Sequence, residues 1–265
     1  MPYVNTSAGR VWYEERGTGA PVVLLHATLH DHHDFDRTAE RLSIEYRTIA
    51  VDWPGHGRSD PVAEPTATLL ADVLVEVLDG LDVERAVLIG NSVGGFAAAR
   101  LAADQPDRVA GIVLVNTGGF IKPSLAGRVF TGVLGTPWLA RLLFPRLVPA
   151  YMKARNDDDA AVGARARARA RTKDGARVAA SLWRSFGKPS YDLRARHIAV
   201  PTLLVWGSKD PVLPISLARQ AQDAIPAATL HMFDTGHVVF ASDPAGFGTV
   251  VEPFIAATFL SVPPA

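Results

Sequence analysis

The chain has 265 residues, of which 48% are hydrophobic and 20% charged, so it can bury a large core and is not expected to be disordered. Its 27 Lys and Arg residues equal its 27 Asp and Glu residues, and a zero net charge gives no overall field to attract nucleic acid or an anionic membrane. The absence of cysteine excludes disulfides, thiolate nucleophiles and thiolate metal sites. We therefore expect a small-molecule substrate as the partner, with no nucleic acid and no membrane, and the composition leaves a homodimer open.

The length of the chain and its opening segment bear on domains and location. A chain of this length exceeds the usual single domain, but α/β folds of this size often hold one core with an insertion. The opening segment MPYVNTSAGRVWYEERG lacks the basic stretch followed by an apolar run that a secretory signal needs, and no apolar run approaches the ~20 residues of a membrane span. These features predict a cytoplasmic protein.

Short apolar runs bounded by Gly, Pro, Asn or Asp predict buried strands along the chain. The first two segments, Tyr3–Val4 and Val11–Glu15, are typical of an antiparallel edge hairpin. The other predicted strands, in chain order, are Val22–Ala27, Thr48–Val51, Ala86–Ile89, Ile112–Val115, Thr202–Trp206 and Thr229–Phe233. Segments of helical length with an apolar face, such as Thr68–Leu78 and Phe96–Ala103, alternate with them. This alternation predicts an α/β fold, a mostly parallel sheet of about eight strands with helices on both faces.

The alternation breaks after Val115. Residues 118–196 contain no convincing strand and are rich in Ala, Arg, Leu and aromatic residues. We predict that they form a helical cap, inserted into a core made of residues 1–117 and 197–265.

One helix of the predicted cap has clear end signals. Asn156 can cap it, Asp157–Asp159 complement the positive end of its dipole, and Lys173 with Gly175 marks its far end. Arginines alternate with alanines along it, at positions Arg165, Arg167, Arg169 and Arg171. This pattern is compatible with a solvated helix face and with a docking surface for an anionic tail or partner.

The segment Gly90-Asn91-Ser92-Val93-Gly94 joins a predicted strand to a predicted helix. A turn this tight holds the serine in a strained conformation, and the flanking glycines let strand and helix approach without a clash. Ser92 Oγ would then stand exposed above the sheet, while the start of the helix directs free N–H groups toward the oxyanion that forms on attack. We predict Ser92 as a nucleophile and the Val93 N–H as one oxyanion donor.

A serine hydroxyl is a poor nucleophile at neutral pH and needs a base that is oriented by an acid. Asp210 follows the predicted strand Thr202–Trp206, and His237 follows Thr229–Phe233. Both side chains should therefore reach the edge of the sheet where Ser92 lies. We predict that Asp210 orients His237 and that His237 takes the serine proton, with no cofactor involved.

Together these motifs resemble those of the α/β-hydrolase superfamily, and the resemblance covers essentially the whole chain. It rests on the strand-to-helix turn Gly90–Gly94, known in that superfamily as the nucleophile elbow, on the Asp210 and His237 segments, and on the motif Asp52-Trp53-Pro54-Gly55-His56-Gly57-Arg58-Ser59-Asp60. Within that motif we expect Asp52 and His56 to stabilise their loop. Some members place the acid after the strand that here ends at Val115, but this chain has Asn116 there. Asp234 is near His237 in sequence but belongs to no recognised motif, so Asp210 is the favoured acid.

Relatives usually carry His-Gly after the first core strand, where a second oxyanion donor lies. This chain has His26-Ala27-Thr28-Leu29-His30 instead. By position, the Thr28 N–H is the expected donor and its side chain faces the substrate. If the loop needs a glycine conformation, the Cβ of Ala27 would add strain and shift the oxyanion hole.

The next residues, His30, Asp31, His32, His33 and Asp34, form a cluster dense enough to suggest a metal site. We favour another interpretation, in which the aspartates begin a helix and the histidines lie on the surface or along a pocket. His30 closes the oxyanion loop and is the histidine expected to reach the site. No metal is expected.

The resemblance also bears on the reaction. Haloalkane dehalogenases and epoxide hydrolases attack through an aspartate, whereas Ser92 implies an acyl-enzyme formed from an ester or lactone of a small to medium apolar or aromatic substrate. The elbow is also similar to that of meta-cleavage-product hydrolases, which cut carbon–carbon bonds and usually carry tryptophan where Val238 follows His237 here. Cofactor-free haloperoxidases and perhydrolases use the same triad of serine, aspartate and histidine, predicted here as Ser92, Asp210 and His237, so they are a further alternative. A ligand receptor that retains the triad is the alternative outside the enzymes.

Aromatic and other large side chains of the predicted cap could wall an apolar pocket. They are Phe130, Trp138, Phe144, Tyr151, Met152, Trp183 and Phe186. As substrate contacts we predict His30, Asn91, Trp138, Trp183 and Val238.

Overall fold

The structure, a computed structural model, describes residues 2–260. Its strands form one eight-stranded sheet in the spatial order β1-β2-β4-β3-β5-β6-β7-β8. In chain order they are β1 (Tyr3–Thr6), β2 (Gly9–Arg16), β3 (Pro21–Leu25), β4 (Arg47–Val51), β5 (Ala86–Asn91), β6 (Val109–Val115), β7 (Thr202–Gly207) and β8 (Thr229–Phe233). β1 pairs antiparallel with β2 and β2 with β4, and the other neighbours are parallel. The predicted fold class is confirmed.

Helices cover both faces of this sheet. They are α1 (Asp36–Leu42), α2 (Ala67–Gly80), α3 (Val93–Asp104), α4 (Leu125–Leu134), α5 (Pro137–Met152), α6 (Asp157–Arg171), α7 (Lys173–Phe186), α8 (Ile215–Ala224), α9 (Val239–Ser242) and α10 (Pro244–Leu260). Of these helices, all within residues 2–260, none is long and apolar enough to cross a membrane.

The strands carry continuous apolar runs because both faces of the sheet are buried. In β3, Val23 and Leu25 belong to one buried cluster, which includes residues of α2 and α3. Val22 and Leu24 point the other way, into a second cluster with residues of α1 and α10. Successive side chains alternate between the faces of a strand, so a strand buried on both sides needs an apolar residue at every position.

Residues 118–196 hold the four helices α4–α7, between β6 and β7, and this fully described segment contains no strand. The end signals predicted for the helix after Asn156 are only half right. The Asn156 side chain does accept from the Asp159 N–H, but this helix, α6, ends at Arg171. Lys173 and Gly175 lie in the first turn of α7, because the Thr172 side chain accepts from the Gly175 N–H and begins a new helix.

The arginines of α6 separate into an inner and an outer row. Arg165 Nη2 lies 3.4 Å from Asp34 Oδ1, and Arg169 Nη2 donates to the Gly55 carbonyl. Arg167 and Arg171 are exposed. The inner row therefore differs from both sequence interpretations, because it ties α6 to two core loops.

Candidate active site

Ser92 lies directly between β5 and α3, with φ 56° and ψ −114°. This backbone conformation costs a non-glycine residue on the order of 1–3 kcal/mol, and the surrounding packing enforces it. A Cβ at Gly90 would collide with the backbone of Gly94, and a Cβ at Gly94 would collide with the Leu25 carbonyl. Only glycine fits at both positions, so the tight turn that presents Ser92 is required by packing.

Asp210 and His237 meet at the carboxyl ends of β7 and β8. His237 Nδ1 lies 2.5 Å from Asp210 Oδ2, and both side chains are buried. The other carboxylate oxygen accepts the Val212 N–H at 2.8 Å. Burial favours the neutral carboxyl, but the charge and hydrogen bond of His237 together with the N–H groups of Val212 and Leu213 outweigh it, so the pKa of Asp210 is lowered. The acid is therefore ionised and able to orient the imidazole.

Asn116 holds this acid in place, a role that the sequence reasoning missed. Its Nδ2 donates to Asp210 Oδ2 at 2.7 Å, and its Oδ1 accepts the Gly207 N–H at 2.9 Å. Asn116 occupies the position after β6 where some family members carry the acid. Here it instead supports Asp210, which follows the neighbouring strand β7. The signal available in the sequence was the place of Asn116 directly after β6, since parallel neighbours β6 and β7 end side by side.

The loop of His237 is held by backbone contacts from two sides. The His237 N–H donates to the Tyr151 carbonyl at 2.9 Å, one of the last carbonyls of α5, which have no partner within the helix. A Cβ at Gly236 would collide with the carbonyls of Tyr151 and Met152. The end of α5 thus packs directly on the loop that carries the predicted base, and the negative end of its dipole would favour a positively charged imidazole there.

Asn91 ties this loop to the elbow. Its Nδ2 donates to the carbonyls of Val115, at 3.0 Å, and His237, at 3.1 Å. Asn91 precedes Ser92, so one side chain links the segments of the predicted nucleophile and the predicted base. The predicted substrate contact of Asn91 is therefore replaced by a structural bond, because the side chain is fully buried. Val238 is fully buried as well, which also removes it from the substrate contacts.

The loop after β3 carries the predicted second oxyanion donor. Thr28 is half-buried, and its Oγ1 is buried without a hydrogen-bond partner among the described residues. The positive φ in this loop, 74°, belongs to Leu29, and Ala27 has no such conformation. The concern that the Cβ of Ala27 strains the loop is therefore wrong. Val93 begins α3, where the first N–H groups have no helical partner.

His26 stabilises the same loop from below. Its Nε2 accepts the Trp53 N–H at 3.0 Å, and its Nδ1 donates to the Ala27 carbonyl at 2.7 Å. Burial lowers the pKa of His26, so the ring is neutral and one proton on Nδ1 satisfies both bonds. The loop is thereby fixed to the Asp52 motif rather than to the substrate.

The histidine cluster is divided among separate carboxylates. His30 bonds Asp34, His32 Nδ1 lies 2.9 Å from Asp52 Oδ1, and His33 Nδ1 lies 3.1 Å from Asp36 Oδ2. Within residues 2–260, no three such side chains form a group that could hold a metal ion. Partition into pairs explains the density of titratable residues in this segment.

His30 does not reach the cavity wall, contrary to the prediction. Its Nε2 lies 2.9 Å from the Tyr151 hydroxyl, and both residues are buried. Burial and the charges of Asp34 and Asp210 raise the pKa of Tyr151, so the phenol stays protonated and donates to His30. The Tyr151 ring in turn packs edge-on against His237, with centroids 5.4 Å apart. Tyr151 therefore separates His30 from His237, the predicted base.

Asp52 organises its own loop, as expected from the motif. It accepts from the His32 N–H and the Arg58 N–H, each at 2.8 Å. Burial acts to raise its pKa, but the bonds from His32 and Arg58 and nearby charge lower it to about 2. His56 is also buried, and burial lowers its pKa well below the ordinary value. Neither residue lines the cavity described next.

A cavity of about 530 Å³ extends from Ser92 along the inserted helices. Phe130, Trp183, Phe186 and Tyr191 line it, and consecutive rings in this series lie 4.7 to 5.4 Å apart. Trp183 thus lies where the sequence predicted. Trp138 does not, because its side chain is 68% exposed near the start of α5. Phe144, Tyr151 and Met152 are buried in ordinary packing.

The sheet order, the strained serine after β5 and the buried acid–base pair are features of a single class of protein. Residues 20–244 match the family model described as the alpha/beta hydrolase fold, so the chain belongs to that hydrolase family, and the resemblance inferred from the motifs is confirmed.

Particular relatives narrow the comparison. The 2-hydroxy-6-oxononadienedioate/2-hydroxy-6-oxononatrienedioate hydrolase of Cupriavidus pinatubonensis is 31% identical and covers 93% of this chain and 90% of its own. The enol-lactonase of Burkholderia xenovorans has a similar structure, with a TM-score of 0.83 at 24% identity over 96% of this chain and 100% of its own. A solved enzyme described as degrading N-acyl homoserine lactones has a TM-score of 0.77 at 25% identity, with 96% and 100% covered.

Proposed function

We propose that the chain is a serine hydrolase that cleaves an ester or lactone with a small to medium apolar or aromatic acyl group. The observation that carries the proposal is the buried Asp210–His237 pair, whose loop Asn91 joins to the strained turn of Ser92. Ser92 lines a cavity with aromatic walls. The lactone-cleaving proteins of similar fold support the same reaction class.

In the proposed reaction, Ser92 Oγ attacks the substrate carbonyl while His237 takes its proton. The carbonyl oxygen becomes an oxyanion, which the N–H groups of Val93 and Thr28 stabilise. His237 then donates the proton to the leaving alcohol, leaving an acyl group on Ser92. A water molecule, deprotonated by His237, attacks this acyl-enzyme, and His237 returns that proton to Ser92 Oγ as the bond to the acyl carbon breaks, which releases the acid product and restores Ser92. Asp210 stabilises the imidazolium in both halves.

Residues 118–196 would act as a cap that selects the acyl group. Trp183 and Phe186 reach the cavity from α7, and Phe130 reaches it from α4. These three side chains are apolar and fit an alkyl or aryl group, although three cationic residues, Lys122, Arg128 and Lys188, also line the cavity.

The test is labelling with a fluorophosphonate, followed by intact-mass measurement. Wild type should gain one adduct and Ser92→Ala none, with a loss of at least ~10³-fold in hydrolysis of p-nitrophenyl esters. Ser124→Ala is the matched control: Ser124 also lines the cavity, but its hydroxyl caps α4, so this variant should keep the adduct. Labelling and turnover that survive in Ser92→Ala would refute the mechanism.

Cleavage of a carbon–carbon bond is the second candidate, and the relative at 31% identity favours it. Val238, where those enzymes usually carry tryptophan, argues against it. A vinylogous 1,5-diketone and a matched ester, assayed with the same preparation, separate the two. A kcat/KM at least tenfold higher on the diketone would replace the ester assignment.

We also propose a cytoplasmic location. The chain has no cysteine, so nothing in the fold depends on an oxidising compartment. Fractionation of cells that express a tagged chain tests this, and recovery outside the inner membrane would contradict it.

A further inference from the structure

The zero net charge of the chain hides an uneven distribution along it. No acidic residue lies between Asp107 and Asp157, an interval that includes all of α4 and α5. From residue 118 onward this interval carries six cationic side chains, Lys122, Arg128, Arg141, Arg146, Lys153 and Arg155. This segment is therefore positively charged, although the whole chain is neutral.

The same segment exposes large apolar side chains. On α4, Leu125, Val129 and Val133 recur every four residues and so share one row, with exposures of 79%, 58% and 38%. On α5, Trp138 and Leu142 are 68% and 49% exposed. We call these five residues the outer face of α4–α5. Leu134 is the only buried residue of α4, so nothing in residues 2–260 covers most of this helix.

Basic side chains accompany this apolar face. Lys122 precedes α4, Arg128 lies on it, and Arg141 and Arg146 are exposed on α5. None of these four forms an ion pair within the described residues, whereas Arg155, farther along, lies 3.6 Å from Asp234. Unpaired cations beside exposed apolar residues are typical of a surface that binds an anionic interface.

The charges select among the partners that could cover this face. In a symmetric dimer, the same patch meets itself, so arginines of one copy would face those of the other with no acidic residue between Asp107 and Asp157 to offset them. An anionic bilayer matches both features of this face: its phosphates can pair with the arginines, and its apolar boundary can accept Leu125 and Val129. Tryptophan is also enriched at that boundary, which suits Trp138.

We propose that the outer face of α4–α5 docks on an anionic lipid bilayer, with its apolar side chains at the level of the headgroups. No helix of residues 2–260 can span a membrane, so the attachment is peripheral. Gly127, Arg128 and Phe130 of α4 also line the cavity at Ser92, which places the cavity beside the docked helix. Apolar substrates would then enter the cavity from the bilayer. This last step rests on the proposed function, whereas the docking itself does not.

Vesicle flotation tests the docking directly. The full chain should bind vesicles with about 30% phosphatidylglycerol and be released at about 0.5 M NaCl, while phosphatidylcholine vesicles retain little. L125E/V129E and R141E/R146E should each lose at least about fivefold in bound fraction. Ile44→Glu is the matched control, because Ile44 is 82% exposed but lies after α1, and it should bind like wild type.

The remaining measurements separate this proposal from its rivals. Both double variants should hydrolyse a short water-soluble ester within about twofold of wild type, because none of the four residues lines the cavity. Ser92→Ala should bind vesicles normally, so that failure of the hydrolase assignment leaves the docking result intact. Equal binding by wild type and both double variants would overturn the proposal. A wild-type dimer in light scattering that L125E/V129E converts to a monomer would overturn it in favour of a second copy.

Discussion

The carboxyl edge of the sheet and the outer face of α4–α5 are built in opposite ways. At the sheet edge, Asp210 receives bonds from His237, Asn116 and Val212, and these groups lie in the segments that follow β8, β6 and β7 respectively. On α4, every residue except Leu134 is at least partly exposed. In the proposed function, the fold thus fixes the predicted reacting groups rigidly, while selection of the acyl group and the proposed attachment to a surface fall to a loosely covered segment.

The two regions meet at the end of α5. The Tyr151 carbonyl binds the His237 backbone, and the Tyr151 hydroxyl binds His30. A change in the inserted helices can therefore affect the base through one residue, while changes on their outer side should leave it undisturbed. Four predictions test this division, from the largest expected effect to the smallest.

Asp210→Asn should break the rigid region most completely. Asparagine cannot hold the imidazole in the required tautomer as a carboxylate does, so kcat/KM for an ester should fall by about 10⁴. Asp234→Asn is the control, because Asp234 is exposed and its carboxylate pairs with Lys209 at 2.8 Å. Both variants are compared by steady-state kinetics and thermal unfolding. Equal losses in the two variants would show that Asp210 is not the acid.

Asp52 should make the fold sensitive to acid. Its folded-state pKa, about 2, lies below the ordinary value of 3.8, so its contribution is complete above pH ~4 and is lost as pH falls toward 2. The difference amounts to about 2 kcal/mol of unfolding free energy. Urea unfolding between pH 5 and 2 should therefore have a shallower pH dependence in Asp52→Asn.

Asp60→Asn is the matched control for the acid dependence. Hydrogen bonds from Arg10 also lower the pKa of Asp60, but that pair is exposed, and solvent screens it. Its pH dependence should stay close to that of wild type. If Asp52→Asn loses as much unfolding free energy between pH 5 and 2 as wild type does, the acid sensitivity belongs to other carboxylates.

Trp183→Ala should change selectivity without changing the chemistry. The indole lines the cavity and contacts Phe130 and Phe186, so its removal should raise KM for an octanoyl ester about tenfold, with the acetyl ester little affected. Trp138→Ala, at an exposed position outside the cavity, should alter neither value. A parallel fall of kcat on both esters would instead place Trp183 among the groups that support the triad.

Tyr151→Phe should have the smallest effect. It removes a hydrogen bond and leaves His30 Nε2 buried without a donor, which should destabilise the fold by about 1 kcal/mol. The backbone bond to His237 remains, so kcat should fall by no more than about fivefold. Tyr46→Phe, whose ring stacks on Phe259, serves as control. A loss of activity comparable to that of Asp210→Asn would mean that the tyrosine hydroxyl takes part in the reaction.

Much of the fold was predictable because its signals are local. Short apolar runs bounded by turn-forming residues marked the strands, and the glycines at 90 and 94 marked the turn at Ser92. The ends of α6 and α7 were harder, because Thr172 serves both helices and the glycine after it resembles an end signal. The point at which α6 ends and α7 begins depends on which backbone N–H the Thr172 side chain caps, and the sequence alone does not reveal that partner.

The sequence by itself determined the identity of the nucleophile, acid and base as predictions, since their order and their places after strands are properties of chain position. Only the tertiary structure decided what surrounds them. Asn116 meets Asp210, and Asn91 meets His237, across 94 and 146 residues of chain, and Tyr151 meets His30 across 121. Local periodicity carries no information about such contacts, because the first two depend on which strand ends the sheet brings together and the third on how α5 packs against that edge.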